Sequence, residues 1–190
     1  DYAESTTSSD AWLNVKAGTD AALAMAMGHV ILKEYYIDKE TPYFKEYAKE
    51  FTDMPFLVRV EDINGAVQPG RFLNAKDLGS KEEGADFQTV LIDEVTNEIV
   101  IPNGTMGDRH TNPQKWNLRL ENRDTGAKID PRLSVFDQRE DVTVVKLPYF
   151  GDEEHEGVIE RAIPTITVQT ADGPVKVTTV YDLILANYGI

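Results

Sequence analysis

The sequence predicts a mixed α/β class, more narrowly an α+β arrangement: helices near the N-terminus, then an irregular, mostly antiparallel run of hairpins, then a short return helix. Three observations predict it. A glycine-led bend, Lys16-Ala17-Gly18-Thr19-Asp20, opens an apolar run from Ala21 to Leu32. Turn pairs such as Asn64-Gly65, Thr96-Asn97 and Asp172-Gly173 separate short β-branched stretches, the pattern of hairpins. Near the C-terminus, the apolar stretch from Val180 to Tyr188 meets Gly189, which suits a helix C-cap.

Taken in order, Trp12-Leu13-Asn14-Val15 has the bulk of a short strand. Gly18 lets the backbone bend, and Thr19 or Asp20 can accept from the open amides of the first helical turn. From Ala21 to Leu32 only Gly28 and His29 interrupt the apolar character, which predicts a helix covered on most sides, at the centre of a core. The run is shorter than the ~20 residues a membrane span needs. His29, inside that run, reads as a hydrogen-bonded core histidine.

Thr41 and Pro42 mark a second helix start, and Tyr43, Phe44, Tyr47, Ala48 and Phe51 recur at helical spacing, predicting an amphipathic helix packed on the core and ended by Pro55. Hairpins then follow: Phe56 to Val60 with Gly70 to Leu73, Val90 to Ile92 with Glu98 to Ile101, and Trp116 to Leu120 with Ala127 to Ile129. Val142 to Leu147, Ile163 to Val168 and Val175 to Val177 add further strands. Gly79 to Asp86 and Gly151 to Glu156 read as exposed acidic loops. In the last helix, Val180, Leu183, Ile184 and Tyr188 are expected to form the packing face.

The 190 residues suffice for one domain with a sizeable core, and 41% apolar with 27% charged residues is an ordinary globular composition. A formal charge of -14 argues against a nucleic-acid partner or an anionic membrane surface. Without cysteine the chain holds no disulfide, no thiolate nucleophile and no cysteine-ligated iron–sulfur cluster. There is no phosphate-binding loop, nucleophile elbow or two-histidine metal motif. His110 and His155 lack partners at metal spacing, the acidic run around His155 reads as solvated, and Asn103-Gly104-Thr105 reads as a turn. Asp20 and Asp1 each have two readings. From the residues alone Asp20 is a helix cap or a carboxylate acceptor for a ligand, and Asp1 is a terminus or such an acceptor.

The order of motifs resembles a known family. Asp1-Tyr2-Ala3-Glu4, followed by Gly18-Thr19-Asp20-Ala21-Ala22-Leu23-Ala24-Met25-Ala26-Met27-Gly28-His29-Val30, looks like the molybdopterin oxidoreductases, and within them the catalytic alpha subunits of membrane-bound respiratory nitrate reductases. The stretches around Thr52-Asp53-Met54-Pro55, Gly104-Thr105-Met106-Gly107, Lys115-Trp116-Asn117-Leu118 and Thr178 to Gly189 extend the resemblance over nearly the whole chain. It implies an internal fragment. Residues 1–55 would be part of a Rossmann-like domain for a guanine dinucleotide, residues 56–178 a β-rich insertion, and residues 179–190 a return helix.

The resemblance also implies a cofactor, molybdenum on two molybdopterin guanine dinucleotides, with Asp1, Tyr2, Thr19 and Asp20 at its guanosine end and Glu4 and Ser5 as further contacts. The molybdenum ligand and the ligands of the neighbouring iron–sulfur cluster lie upstream in such enzymes, so a fragment of this extent would be inactive alone. The implied parent reduces nitrate to nitrite with quinol electrons, alongside an iron–sulfur beta subunit and a membrane quinol-oxidising subunit, on the cytoplasmic side of the membrane. The isolated fragment is expected to be soluble and to self-associate through apolar surface that the rest of the alpha subunit covers. The competing reading is a stand-alone acidic, nonenzymatic interaction module.

Overall fold

The computed structural model describes residues 7–104, 119–149 and 157–190. The elements are α1 (Asp20–Ile31) continued by a π-helical segment (Leu32–Asp38), α2 (Pro42–Phe51), β1 (Leu57–Ile63), β2 (Ala66–Phe72), a 3-10 turn (Ala85–Phe87), β3 (Leu91–Ile92), β4 (Ile99–Val100), β5 (Asp141–Pro148), β6 (Val158–Thr170), β7 (Gly173–Thr179) and α3 (Val180–Tyr188). The class is α+β. Five strands form one antiparallel sheet in the order β2-β1-β7-β6-β5, and β3 pairs with β4 in a second, two-stranded one. The edge strands β2 and β5 also approach each other, so the large sheet curls.

Turn chemistry sets the registers. Ile63 pairs with Ala66 across a two-residue loop in which Asn64 (φ 57°) and Gly65 (φ 80°) both take left-handed backbone, as a twisted hairpin requires. The Gly65 N–H donates to the Asp62 carboxylate at 2.7 Å, which fixes the turn further. Gly65→Ala is therefore expected to cost about 1–2 kcal/mol, the penalty of a Cβ in left-handed backbone, read as a lower urea midpoint at unchanged slope. Full stability of that variant would show that the turn tolerates a Cβ.

The expected hairpin across Thr96-Asn97 forms as β3 and β4, with Asn97 at φ 60°. β6 and β7 join across Ala171-Asp172, with Gly173 at φ 117°. Of the third predicted hairpin, Trp116 to Leu118 lie outside the described residues. Its remainder keeps a bridge between Glu121 and Lys128 and a 2.8 Å bond from the Ile129 N–H to the Leu120 carbonyl. The acidic loop at Gly79 to Asp86 is exposed over much of its length, with Ala85 buried within it; Gly151 to Glu156 lie outside the described residues.

One core cluster joins Leu57, Leu73, Val90, Ile92, Val135, Val168 and Val177 inside the curl. Another joins Leu32 and Tyr36 to Ala48, Leu133 and Tyr181, tying the π-helical segment and α2 to α3. Two expectations need correction. Trp12 to Val15 form no strand among the described residues and are exposed: bulky side chains alone do not supply the pairing partner a strand needs. No residue of α1 is fully buried; the helix forms, but the described residues cover it only in part. In α3 the expected face does pack: Leu183, Ile184 and Tyr188 lie partly buried against the core clusters, with Tyr181, Asp182 and Ala186 fully buried beside them.

α3 is locked at both ends. Thr179 is its N-cap, accepting from the Asp182 N–H at 3.1 Å, and Gly189 ends it in left-handed backbone (φ 74°). The Asp182 carboxylate is buried, and accepts from the Ser134 hydroxyl (2.6 Å), the Val135 N–H (2.9 Å) and the Thr179 hydroxyl (2.9 Å). This residue joins the helix start to the segment entering β5.

Candidate functional site

The bend before α1 is the candidate, and its geometry follows from a few local bonds. Gly18 sits at φ 83°, and a Cβ built there would meet nothing within 4 Å, so glycine is needed for its backbone angle and not for space. The Lys16 carbonyl accepts twice from Thr19, from its N–H at 3.1 Å and its hydroxyl at 2.6 Å. Thr19 is thus the N-cap by position, yet its side chain makes no bond to the first turn, contrary to the capping expected of it. Its carbonyl accepts the Leu23 N–H at 3.1 Å and starts the helix.

Asp20 occupies the first helical position and is exposed, while Thr19 is half-buried. A carboxylate at that end lies in the favourable field of the helix dipole, worth about 0.3–1 kcal/mol on an exposed surface. It stays available as a two-oxygen acceptor, the chemistry that pairs with two adjacent N–H donors. Asp1 and Tyr2, with Glu4 and Ser5, lie outside the described residues, so their relation to Thr19 and Asp20 is not described. Among the described residues no three histidine, cysteine, aspartate or glutamate side chains gather as a metal site, and no helix is long and apolar enough to cross a membrane.

Two residues of α1 that sequence reasoning placed in a core have a different part. His29 is exposed, and its Nδ1 lies 3.0 Å from the Tyr188 carbonyl at the end of α3. A Cβ at Gly28 would fall 2.6 Å from the Tyr188 hydroxyl, so glycine permits the close approach of the two helices. α1 is therefore held from one side, through Gly28 and His29 on Tyr188, while Met27, Val30 and Ile31 stay exposed. The Gly-His pair within an apolar helix was the sequence signal for this contact.

No family model matches the chain. Individual proteins do, over its full length. It is 47% identical over 190 residues to the nitrate reductase alpha chain of Bacillus subtilis, 41% over 202 residues to the respiratory nitrate reductase 1 alpha chain of Escherichia coli, and 40% over 193 residues to the nitrate reductase alpha subunit of Mycobacterium tuberculosis. All of the chain is covered in each match, while it spans only about 15% or 16% of the length of these relatives.

Proposed function

Because the chain belongs over its whole length to the nitrate reductase alpha chains, which are molybdopterin oxidoreductases, we propose that it serves as an internal segment of such a catalytic subunit, holding the guanosine end of its molybdenum cofactor. The full-length match carries this reading, and it favours the enzyme segment over a stand-alone acidic module. The proposed activity of the parent is reduction of nitrate to nitrite with electrons from quinol. Its partners on this reading are the rest of the alpha chain, an iron–sulfur beta subunit and a membrane quinol-oxidising subunit, and its place is the cytoplasmic side of the membrane.

The chemistry of the bend fits a guanine. Asp20 is an exposed carboxylate with two acceptor oxygens, and guanine offers N1–H and N2–H side by side. Thr19 and the open first-turn amides supply further polar groups, and Gly18 carries no side chain to crowd the bend. Asp1 and Tyr2 are proposed as the contacts to the adjoining ribose. When bound, the molybdenum cofactor supplies the two-electron oxygen-atom exchange with nitrate. The residues of this chain orient its tail and take no part in the bond changes. With no cysteine, they also leave cysteine ligation of the implied iron–sulfur cluster to other parts of the parent.

On this reading residues 1–55 form part of a Rossmann-like unit whose parallel strands come from other parts of the polypeptide. Residues 56–178 are the β-rich insertion and residues 179–190 return to the unit. The contact of α1 with Tyr188 supports that return, since it brings the last helix against the first. The test is to purify the polypeptide containing these residues from its source cells. It should release molybdenum and guanosine monophosphate on acid hydrolysis and oxidise a reduced viologen in the presence of nitrate. A purified polypeptide with neither metal nor nucleotide would contradict the reading.

A further inference from the structure

Helix α2 carries three separate faces. The inner one holds Ala48, fully buried, and Phe44, whose ring lies 5.0 Å from Tyr35 and 5.6 Å from Tyr36 between centroids. On a second face Lys45 pairs with Glu40 at 2.9 Å and Lys49 with Asp130 at 2.5 Å. The third consists of Tyr43, Tyr47 and Phe51, spaced four residues apart and exposed by 67%, 47% and 45%. Their rings follow one another at 6.4 and 5.0 Å, a continuous aromatic ridge along two helical turns. Helical spacing puts Glu46 and Glu50 along its border. With both lysines of α2 engaged elsewhere, that border is acidic.

Three adjacent exposed rings, two with hydroxyl tips, have the composition of a protein interface and not of a solvated helix. Two observations indicate what covers them. The chain spans about 15% of the length of its relatives, so most of such a polypeptide lies outside these residues. The inner face of α2 also packs on the π-helical continuation of α1, whose Met27, Val30 and Ile31 are exposed as well.

We propose that the Tyr43–Tyr47–Phe51 ridge is an intramolecular docking surface, received by a segment of the same alpha polypeptide outside these 190 residues. That segment presents apolar slots for the rings and a lysine or arginine facing Glu46 and Glu50. The inference rests on the chain being part of an alpha subunit, but not on the guanine contact of Asp20.

Hydroxyl-radical oxidation read by mass spectrometry tests it. The polypeptide containing these residues is purified without accompanying chains and oxidised native and in urea. Tyr43, Tyr47 and Phe51 should oxidise at least about tenfold more slowly in the native state, as the buried Tyr36 and Tyr181 should. Charge reversal at the border, Glu46→Lys with Glu50→Lys, should raise ridge oxidation at least about threefold while Tyr36 and Tyr181 stay protected.

Ridge rings that oxidise as fast native as in urea would overturn the proposal. So would protection that appears only when other subunits are added back, or only on raising the concentration, since these point to a second protein or a second copy. Unchanged ridge oxidation in the charge-reversed variant would overturn the basic counterpart. A purified polypeptide of only 21.3 kDa would overturn both this inference and the reading beneath it, whereas an exposed ridge on a longer one overturns this inference alone.

Discussion

Replacing Asp182 by alanine is expected to lower the stability of the protein by about 2–3 kcal/mol, because the buried Val135 N–H and two hydroxyls lose their shared acceptor. Asp182→Asn should cost less, since the amide oxygen can keep the Val135 bond while the Ser134 hydroxyl turns to accept from the amide nitrogen. The two variants also differ from the wild type in their response to pH. Burial pushes the Asp182 carboxyl above its ordinary range, outweighing the hydrogen bonds from Ser134, Val135 and Thr179 that act the other way. A carboxyl raised in the folded state binds its proton more tightly there than in the unfolded chain. Ionisation therefore weakens the fold, and that penalty grows as pH rises from the unfolded value towards and past the folded one.

Asp77 behaves oppositely. Burial alone would raise it, but hydrogen bonds from Arg71 and the Asn74 N–H, with the charges of Arg71 and Arg59, hold it below its ordinary value. Its contribution is present above the unfolded value and lost as pH falls through the folded one. Whole-protein pH curves therefore mix both signs, and the difference between wild type and Asp182→Asn isolates the Asp182 part. That difference should move in favour of the asparagine variant as pH climbs from about 4 to about 7 in urea titrations. A difference that does not change with pH would show that Asp182 titrates alike folded and unfolded.

The second large effect is expected at Asp20. A carboxylate holding two guanine N–H donors contributes about 3 kcal/mol, roughly a hundredfold in retention of the nucleotide. Asparagine keeps the length of the side chain but replaces one acceptor oxygen with a donor that faces a donor on guanine. Asparagine also serves helix N-termini well. The Asp20→Asn variant thus separates the two readings of this residue: as a helix-start residue it costs at most about 1 kcal/mol of stability and no nucleotide, as a guanine acceptor it costs the nucleotide.

The legible parts of this fold were those decided by local backbone chemistry. Asn64-Gly65, Asn97 and Gly173 take the left-handed angles that their turns require, so those hairpins followed from residue types alone. Gly189 ended α3 for the same reason, and Thr41-Pro42 opened α2. What failed depended on partners distant in the chain. An apolar helix says that something covers it, but not whether the cover lies within the same 190 residues, and the described residues cover α1 only in part, through Tyr188. Trp12 to Val15 have the composition of a strand but pair with no strand among the described residues.

Asp182 was missed because a buried carboxylate is recognised only through its donors, and Ser134 and Val135 lie 48 and 47 residues away. The spacing Thr179-x-x-Asp182, a capping arrangement at a helix start, was the one sequence signal for it. At the candidate site the bend and Asp20 were legible, because a glycine followed by small polar residues before an apolar run dictates a helix entry. The donation of the Thr19 hydroxyl to Lys16 was not, since the same oxygen serves equally well as a cap acceptor.

The guanine nucleotide content of the intact polypeptide decides the role of Asp20, measured as guanosine monophosphate released per chain from the wild type and from Asp20→Asn purified side by side. The variant, folded as judged by thermal unfolding close to that of the wild type, is expected to lose most of its nucleotide and its molybdenum together. A variant that retains the wild-type content of both would contradict that expectation, and would leave Asp20 as a helix-start residue and nothing more.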